Sequence, residues 1–181
     1  MNSDAVQTFS ALLALVALAG GLITFLSLAV RAPWSNTWLA TVREYGVWAM
    51  CAITSTAMIG SLYFSESVGY APCKLCWYQR IAMYSIAIIS FVAALRKDNG
   101  IARYTVVLAP IGLLVSTYHY LLEWGVINES SVCSLDVPCT SIWFREFGFV
   151  TLCFMAGTAF IATIAFSIAL MRTSTPVSEE D

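Results

Sequence analysis

Five stretches of this chain run for about 20 residues or more almost without charge, which constrains its fold more than any motif does. They cover residues 5–30, 45–65, 75–95, 104–122 and 147–171, and a single cation, Arg80, interrupts the third. A helix rising about 1.5 Å per residue needs roughly 20 residues to cross the hydrocarbon core of a bilayer. Within lipid the backbone must satisfy its own hydrogen bonds, so spans of this length are helices. The chain has 181 residues, of which 59% are apolar and 11% charged. Five spans consume most of it and leave no room for a separate soluble domain. The net charge of −2, without a basic surface, weighs against nucleic-acid binding.

The first apolar stretch differs from a secretory leader. Residues 1–4 carry Asp4 and no Lys or Arg, and the apolar run exceeds the roughly 7–15 residues of a leader's core. A retained helix is expected. Lys and Arg near the span ends set orientation. With the N-terminus outside, the cytoplasmic side takes Arg31, Arg43, Arg96, Lys97, Arg103 and Arg172, against Lys74, Arg80 and Arg145 outside. This bias predicts an N-out, C-in protein. Between the spans, residues 31–44 read as an inner linker, with Pro33, Trp34 and Trp38 as breaker and interface anchors. Residues 96–103 read as an inner hairpin, and 126–145 as an outer loop whose Ser141-Ile-Trp-Phe run lies along the membrane surface. The tail, 173–181, reads as disordered.

The same orientation puts two cysteine pairs outside, where disulfides persist. Cys73-Lys-Leu-Cys76 stands at the mouth of the third span, just after Pro72. At a helix N-terminus the free N–H groups and the positive end of the dipole favour the thiolate, the species that exchanges disulfides. Lys74 and Arg80 add positive charge. Cys133 and Cys139 flank five residues of the outer loop, among them Ser134, Asp136 and Pro138, which keep it polar and turn-rich. A loop pair alone is weak evidence, since any secreted loop is stapled this way; two outer dithiols together permit relay by exchange. The competing readings are a purely structural disulfide and a zinc site shared by the two pairs. Zinc is disfavoured by the spacing, and no metal is expected.

Arg80 lies at i+4 from Cys76, on the same helix face and about 6 Å deeper. It reads either as a hydrogen-bond donor to a quinone carbonyl or as an arginine that only snorkels. His119, the one histidine, falls at a similar depth and reads either as a proton carrier or as the i+4 ion-pair partner of Glu123. Cys51 and Cys153, lone cysteines within spans, read as small apolar fillers.

The run Cys73-Lys-Leu-Cys76-Trp-Tyr-Gln-Arg80 at the start of a membrane helix resembles the signature of the DsbB/BdbC disulfide bond formation family. The Cys-x5-Cys loop, with proline before its second cysteine, resembles the BdbC-like branch. The resemblance covers about residues 45 to 171. It implies an all-α membrane protein: a four-helix transmembrane bundle over 45–172, preceded by an extra N-terminal transmembrane helix and linker over 1–44. It further implies a quinone-dependent thiol oxidase of the bacterial cell (inner) membrane, using ubiquinone or menaquinone. Cys73 and Cys76 would be the quinone-coupled pair, with Cys76 beside the ring, Arg80 at its carbonyl and His119 nearby. Cys133 and Cys139 would be the pair attacked by a reduced DsbA/BdbD-like thioredoxin-fold protein, Cys133 being the sulfur attacked. The vitamin K epoxide reductase family joins similar parts, but there the loop cysteines precede the Cys-x-x-Cys. An enzyme running the opposite way would want cysteines in the inner loops, which hold none. The non-enzymatic alternative is a structural or metal-handling tetraspan protein with disulfide-stapled loops.

Overall fold

The computed structural model describes residues 3–30, 32–128, 133 and 137–174. Arg31, Ser134, Asp136 and most of the tail (175–181), on which parts of the reading above rest, lie outside the described residues. Five long helices carry the chain: α1 (Ser3–Ala29), α2 (Pro33–Leu62), α3 (Lys74–Arg96), α4 (Ala102–Glu123) and α5 (Leu152–Ser174). All five are long and apolar enough to cross a membrane. The protein is a multi-pass helical membrane protein, as the charge-free stretches require.

One expectation about the connections changes. Residues 33–44, read as a linker, are the first turns of α2. Pro33 occupies the first helical turn, where its missing N–H costs nothing, and Ser35 exchanges hydrogen bonds with the Ala32 backbone. The proline that looked like a breaker is a helix start. Trp38 is anchored inside the protein, its indole N–H donating to Thr24 Oγ1 of α1 at 3.1 Å. The rings of the 141–144 run dock on the α2–α3 connection, Trp143 stacked 4.8 Å from Tyr70 and Phe144 5.4 Å from Phe64.

The hairpin between α3 and α4 is tight. Lys97 takes the left-handed conformation (φ 52°) that ends α3, and Asp98 caps the short turn before α4 through the Gly100 N–H. The helices pack closely because small residues face each other, the usual device where lipid gives helices no hydrophobic reason to associate. Phe160 of α5, fully buried, fills the space that a side chain at Gly112 of α4 would occupy. Gly21 of α1 lies against the Ala162 backbone of α5, where a Cβ would come within 3.0 Å. Thr105 and Ser167 share a buried hydrogen bond of 2.7 Å between α4 and α5.

The two ends of the bundle differ in chemistry. The start of α1, the α2–α3 connection, the end of α4 and the 137–151 loop meet at one end. They are joined by bonds such as Gln7 Nε2 to Tyr70 Oη (2.9 Å) and Thr8 Oγ1 to Glu146 Oε2 (3.3 Å). Both cysteine pairs sit there. Arg43, Arg96, Lys97, Arg103 and Arg172 gather at the other end, where Asn99 reaches the Arg43 carbonyl and Arg172 the Leu28 carbonyl.

Candidate functional site

Cys73 is the N-cap of α3. Its backbone is extended, and its sulfur accepts the Cys76 N–H at 3.3 Å, a role usually filled by a serine or aspartate oxygen. Capping therefore fixes the sulfur at the positive end of the helix. The Cys76 Sγ lies 2.8 Å away, and the pair is present as thiols. The Cys73 thiol is held well below its ordinary pKa range. The Cys76 hydrogen bond is the main cause, His119 and the Cys76 N–H add to it, and burial opposes them.

The second pair is a disulfide, Cys133–Cys139. Cys139 is fully buried and Cys133 half-buried. Cys73, Cys139, Leu75 and Leu122 form one apolar cluster, with Cys76 and Cys133 packed against it. The structure thus brings all four cysteines together, with the two pairs side by side.

His119 binds them across the bundle. It is 2% exposed, and its Nε2 lies 3.0 Å from the Cys139 carbonyl oxygen and 3.6 Å from Cys73 Sγ. The Gln79 side-chain amide donates to Nδ1 at 2.9 Å, which assigns the ring proton to Nε2. Of the two readings of His119, the ion pair with Glu123 is not formed as a direct contact: Glu123 stays within 4.8 Å, and its Oε2 accepts the Thr151 hydroxyl at 2.6 Å. Thr151 in turn caps α5 through the Phe154 N–H.

Two cavities flank the dithiol, and Cys76 borders both. The smaller, about 20 Å³, lies among Cys73, Cys76, His119, Glu123 and Cys153, and has room for a single water. The larger, about 450 Å³, is bounded by α1, α2, α3 and α5 and has Cys76, Gln79, Arg80 and Tyr84 on its α3 side. Its size is that of a small-molecule site. Arg80 borders this cavity, with Nη2 donating to the Ser61 carbonyl at 3.0 Å and the guanidinium 5.4 Å from the Trp77 ring centroid. The Tyr84 hydroxyl is buried with no hydrogen-bond partner. An unmatched buried hydroxyl costs about 1–3 kcal/mol, so a polar ligand atom that reached it would offset that cost.

Gln79, Tyr84 and Cys153 are site residues that the sequence reading missed. Gln79 and Tyr84 were within reach, since they share a helix face with Cys76 and Arg80 at i+3 and i+4. Cys153 carried no such signal. It reads as a filler until α5 is placed, when its sulfur falls within 4.8 Å of ligand atoms on His119 and Glu123. Cys51 does pack as a filler, in an apolar cluster with Met50 and Leu170. Cys73, Cys76 and His119 also stand close enough together to hold a metal ion.

Comparison with known proteins agrees with this architecture. Residues 43–174 match the family described as disulfide bond formation protein DsbB. A probable disulfide formation protein of Oceanobacillus iheyensis is 45% identical over 118 residues, covering 64% of this chain and 81% of that protein. The disulfide bond formation protein C of Bacillus subtilis is 41% identical over 128 residues, covering 70% of this chain and 90% of that protein. A probable disulfide formation protein C 1 of Bacillus anthracis is 37% identical over 131 residues, covering 72% and 94%. No solved structure matches the chain.

Proposed function

Because the chain belongs to the DsbB disulfide bond formation family, we propose that this disulfide-generating membrane oxidoreductase is a thiol:quinone oxidoreductase. It reoxidises a thioredoxin-fold disulfide oxidase outside the cytoplasm and delivers the electrons to quinone. One observation carries the reading: the two sulfurs of one dithiol face different surroundings. Cys73 packs with the loop disulfide and His119, while Cys76 borders the large cavity.

Cys133, the more exposed sulfur of the loop pair, takes the attack of a reduced partner thiolate. The Cys133–Cys139 bond breaks, a mixed disulfide forms at Cys133, and Cys139 leaves as a thiolate inside the apolar cluster. The partner's second thiol resolves that mixed disulfide and departs oxidised, leaving both loop cysteines reduced. Cys139 then attacks Cys73 of an oxidised Cys73–Cys76 pair, releasing Cys76 as a thiolate at the cavity. Cys133 displaces Cys73, the loop disulfide is restored, and Cys73 and Cys76 are left as the dithiol. A quinone bound in the cavity supplies the two-electron, two-proton acceptor that this dithiol needs to close again. The site suits such a ligand: an apolar cavity beside a reactive sulfur, with Arg80 and the unpartnered Tyr84 hydroxyl as donors for oxygen atoms. His119 holds the loop over Cys73 and stands at the one-water cavity, a route for protons leaving the thiols.

The orientation proposed is N-out, C-in. The gathering of five of the eight described basic residues at the end opposite the cysteine pairs supports it. The alternative, a metal-handling protein, draws support from the Cys73, Cys76 and His119 grouping. Purified protein supplied with a dithiol and quinone separates the two. Thiol:quinone oxidoreductase activity predicts quinone reduction that Cys76→Ser abolishes, while Cys133→Ser mainly blocks turnover with a protein thiol. Stoichiometric zinc in the isolated protein, with no quinone reduction, would reverse the choice.

A further inference from the structure

Helix α1 lies outside the 43–174 region that matches the family, yet it forms one side of the large cavity. Ser10, Leu13, Ala14, Ala17 and Gly20 border the cavity at spacings of three or four residues, which puts them on a single helical face. Two adjacent glycines divide the work. Gly21 meets the Ala162 backbone and lets α1 approach α5, whereas a side chain built at Gly20 meets nothing within 4 Å. Across the cavity on α2, Gly60 is equally open. The cavity thus has Gln79, Arg80 and Tyr84 on α3 and a mostly apolar face on α1, where Ala14, Ala17 and Gly20 are small.

We propose that α1 is the tail-binding wall of the quinone site: it confines the isoprenoid tail along Ala14, Ala17 and Gly20, while the ring lies against α3. This rests on the thiol:quinone reading and extends it. A polar head and an apolar tail match the two sides of the cavity, and without α1 the space between α2 and α5 would open to lipid. The extra helix therefore changes which quinones bind rather than whether thiols are oxidised. The cysteine pairs and His119 lie on other elements, so ring chemistry is independent of this wall.

The test compares equilibrium binding of a long-tailed menaquinone and a tail-less benzoquinone to the full chain in nanodiscs, read by tryptophan fluorescence quenching. Gly20→Phe should weaken long-tail binding by about tenfold or more and leave the tail-less ring bound within about twofold. Retained ring binding also certifies that the variant is folded. Ala17→Leu, a milder filling of the same face, should shift long-tail binding in the same direction. Unchanged long-tail affinity in both variants overturns the proposal, as does an equal loss of the two ligands in both. Wild-type protein that binds neither quinone overturns the thiol:quinone reading itself, and this inference with it.

Discussion

His119 Nε2 lies 3.0 Å from the backbone carbonyl of Cys139, so a helix-borne ring holds the loop disulfide in place over Cys73. The same ring is fixed from behind by Gln79 of α3. Two elements distant in sequence are thereby locked around the two cysteine pairs. Replacing His119 with Ala removes its hydrogen bonds to the Cys139 carbonyl and the Gln79 amide. The loss, about 1–3 kcal/mol, corresponds to roughly 5- to 150-fold slower transfer between the two cysteine pairs if the docked loop is the reactive state. Acid-quenched alkylation of protein prepared with the loop pair reduced and Cys73–Cys76 oxidised would measure that rate. Transfer at the wild-type rate would return His119 to a purely structural role.

Cys73 sets a pH dependence with a definite sign. Its pKa lies below the ordinary value of about 8.5, chiefly through the Cys76 hydrogen bond. The contribution of this thiolate to the stability of the reduced protein is complete above the unfolded pKa. It is lost progressively as pH falls through the lowered folded value. Thiolate absorbance in the reduced protein should therefore persist below pH ~8.5 and be missing from Cys73→Ser. Reduced protein should also lose thermal stability toward acid faster than the oxidised form. Absorbance that vanishes near the ordinary thiol pKa contradicts the N-cap assignment.

Much of this could be read in the chain because charge and apolar length speak directly for a membrane span. Cys-x-x-Cys before an apolar run likewise announces a helix N-terminus. The parts that escaped are those that depend on which faces meet. Nothing near Cys153 in sequence says that its first turn of α5 will stand beside His119. Pro33 looked like a breaker because the same residue ends one helix and starts another, and only the Ser35 cap tells the two apart. The docking of Trp143 and Phe144 on Tyr70 and Phe64 was not legible either, because rings that suit a lipid interface also suit one another.

Packing in the helix core gives a prediction independent of the chemistry. Phe160 occupies the space above Gly112 and is fully buried, so it cannot swing aside. Gly112→Ala should destabilise the bundle by about 1–3 kcal/mol through overpacking, despite the usual helix preference for alanine. Unfolding in mixed micelles would register this as a lower denaturation midpoint. An unchanged or raised midpoint would mean that α4 and α5 are not joined at this contact.

The donors of α3 toward the large cavity give the final prediction. Arg80 and Tyr84 are one turn apart, about 6 Å along the axis, a spacing comparable to that between the two para oxygens of a quinone ring. Arg80 already spends one nitrogen on the Ser61 carbonyl, and its planar fork leaves further N–H groups for a ligand. Arg80→Lys keeps the charge and snorkels equally well, but it loses the planar fork whose separate nitrogens address the Ser61 carbonyl and a ligand in fixed directions. A charge-assisted hydrogen bond of about 1.5–3 kcal/mol then predicts a roughly 10- to 150-fold rise in the apparent KM for quinone. Tyr84→Phe removes a neutral donor that has no partner within the protein, so it should cost the fold nothing and raise KM by about 2- to 10-fold. Quinone titration of each variant in nanodiscs, with tryptophan fluorescence as a binding readout, distinguishes the two contributions. If Arg80→Lys leaves KM unchanged while Tyr84→Phe raises it, Arg80 is only a tie between α2 and α3, and Tyr84 alone addresses the ligand.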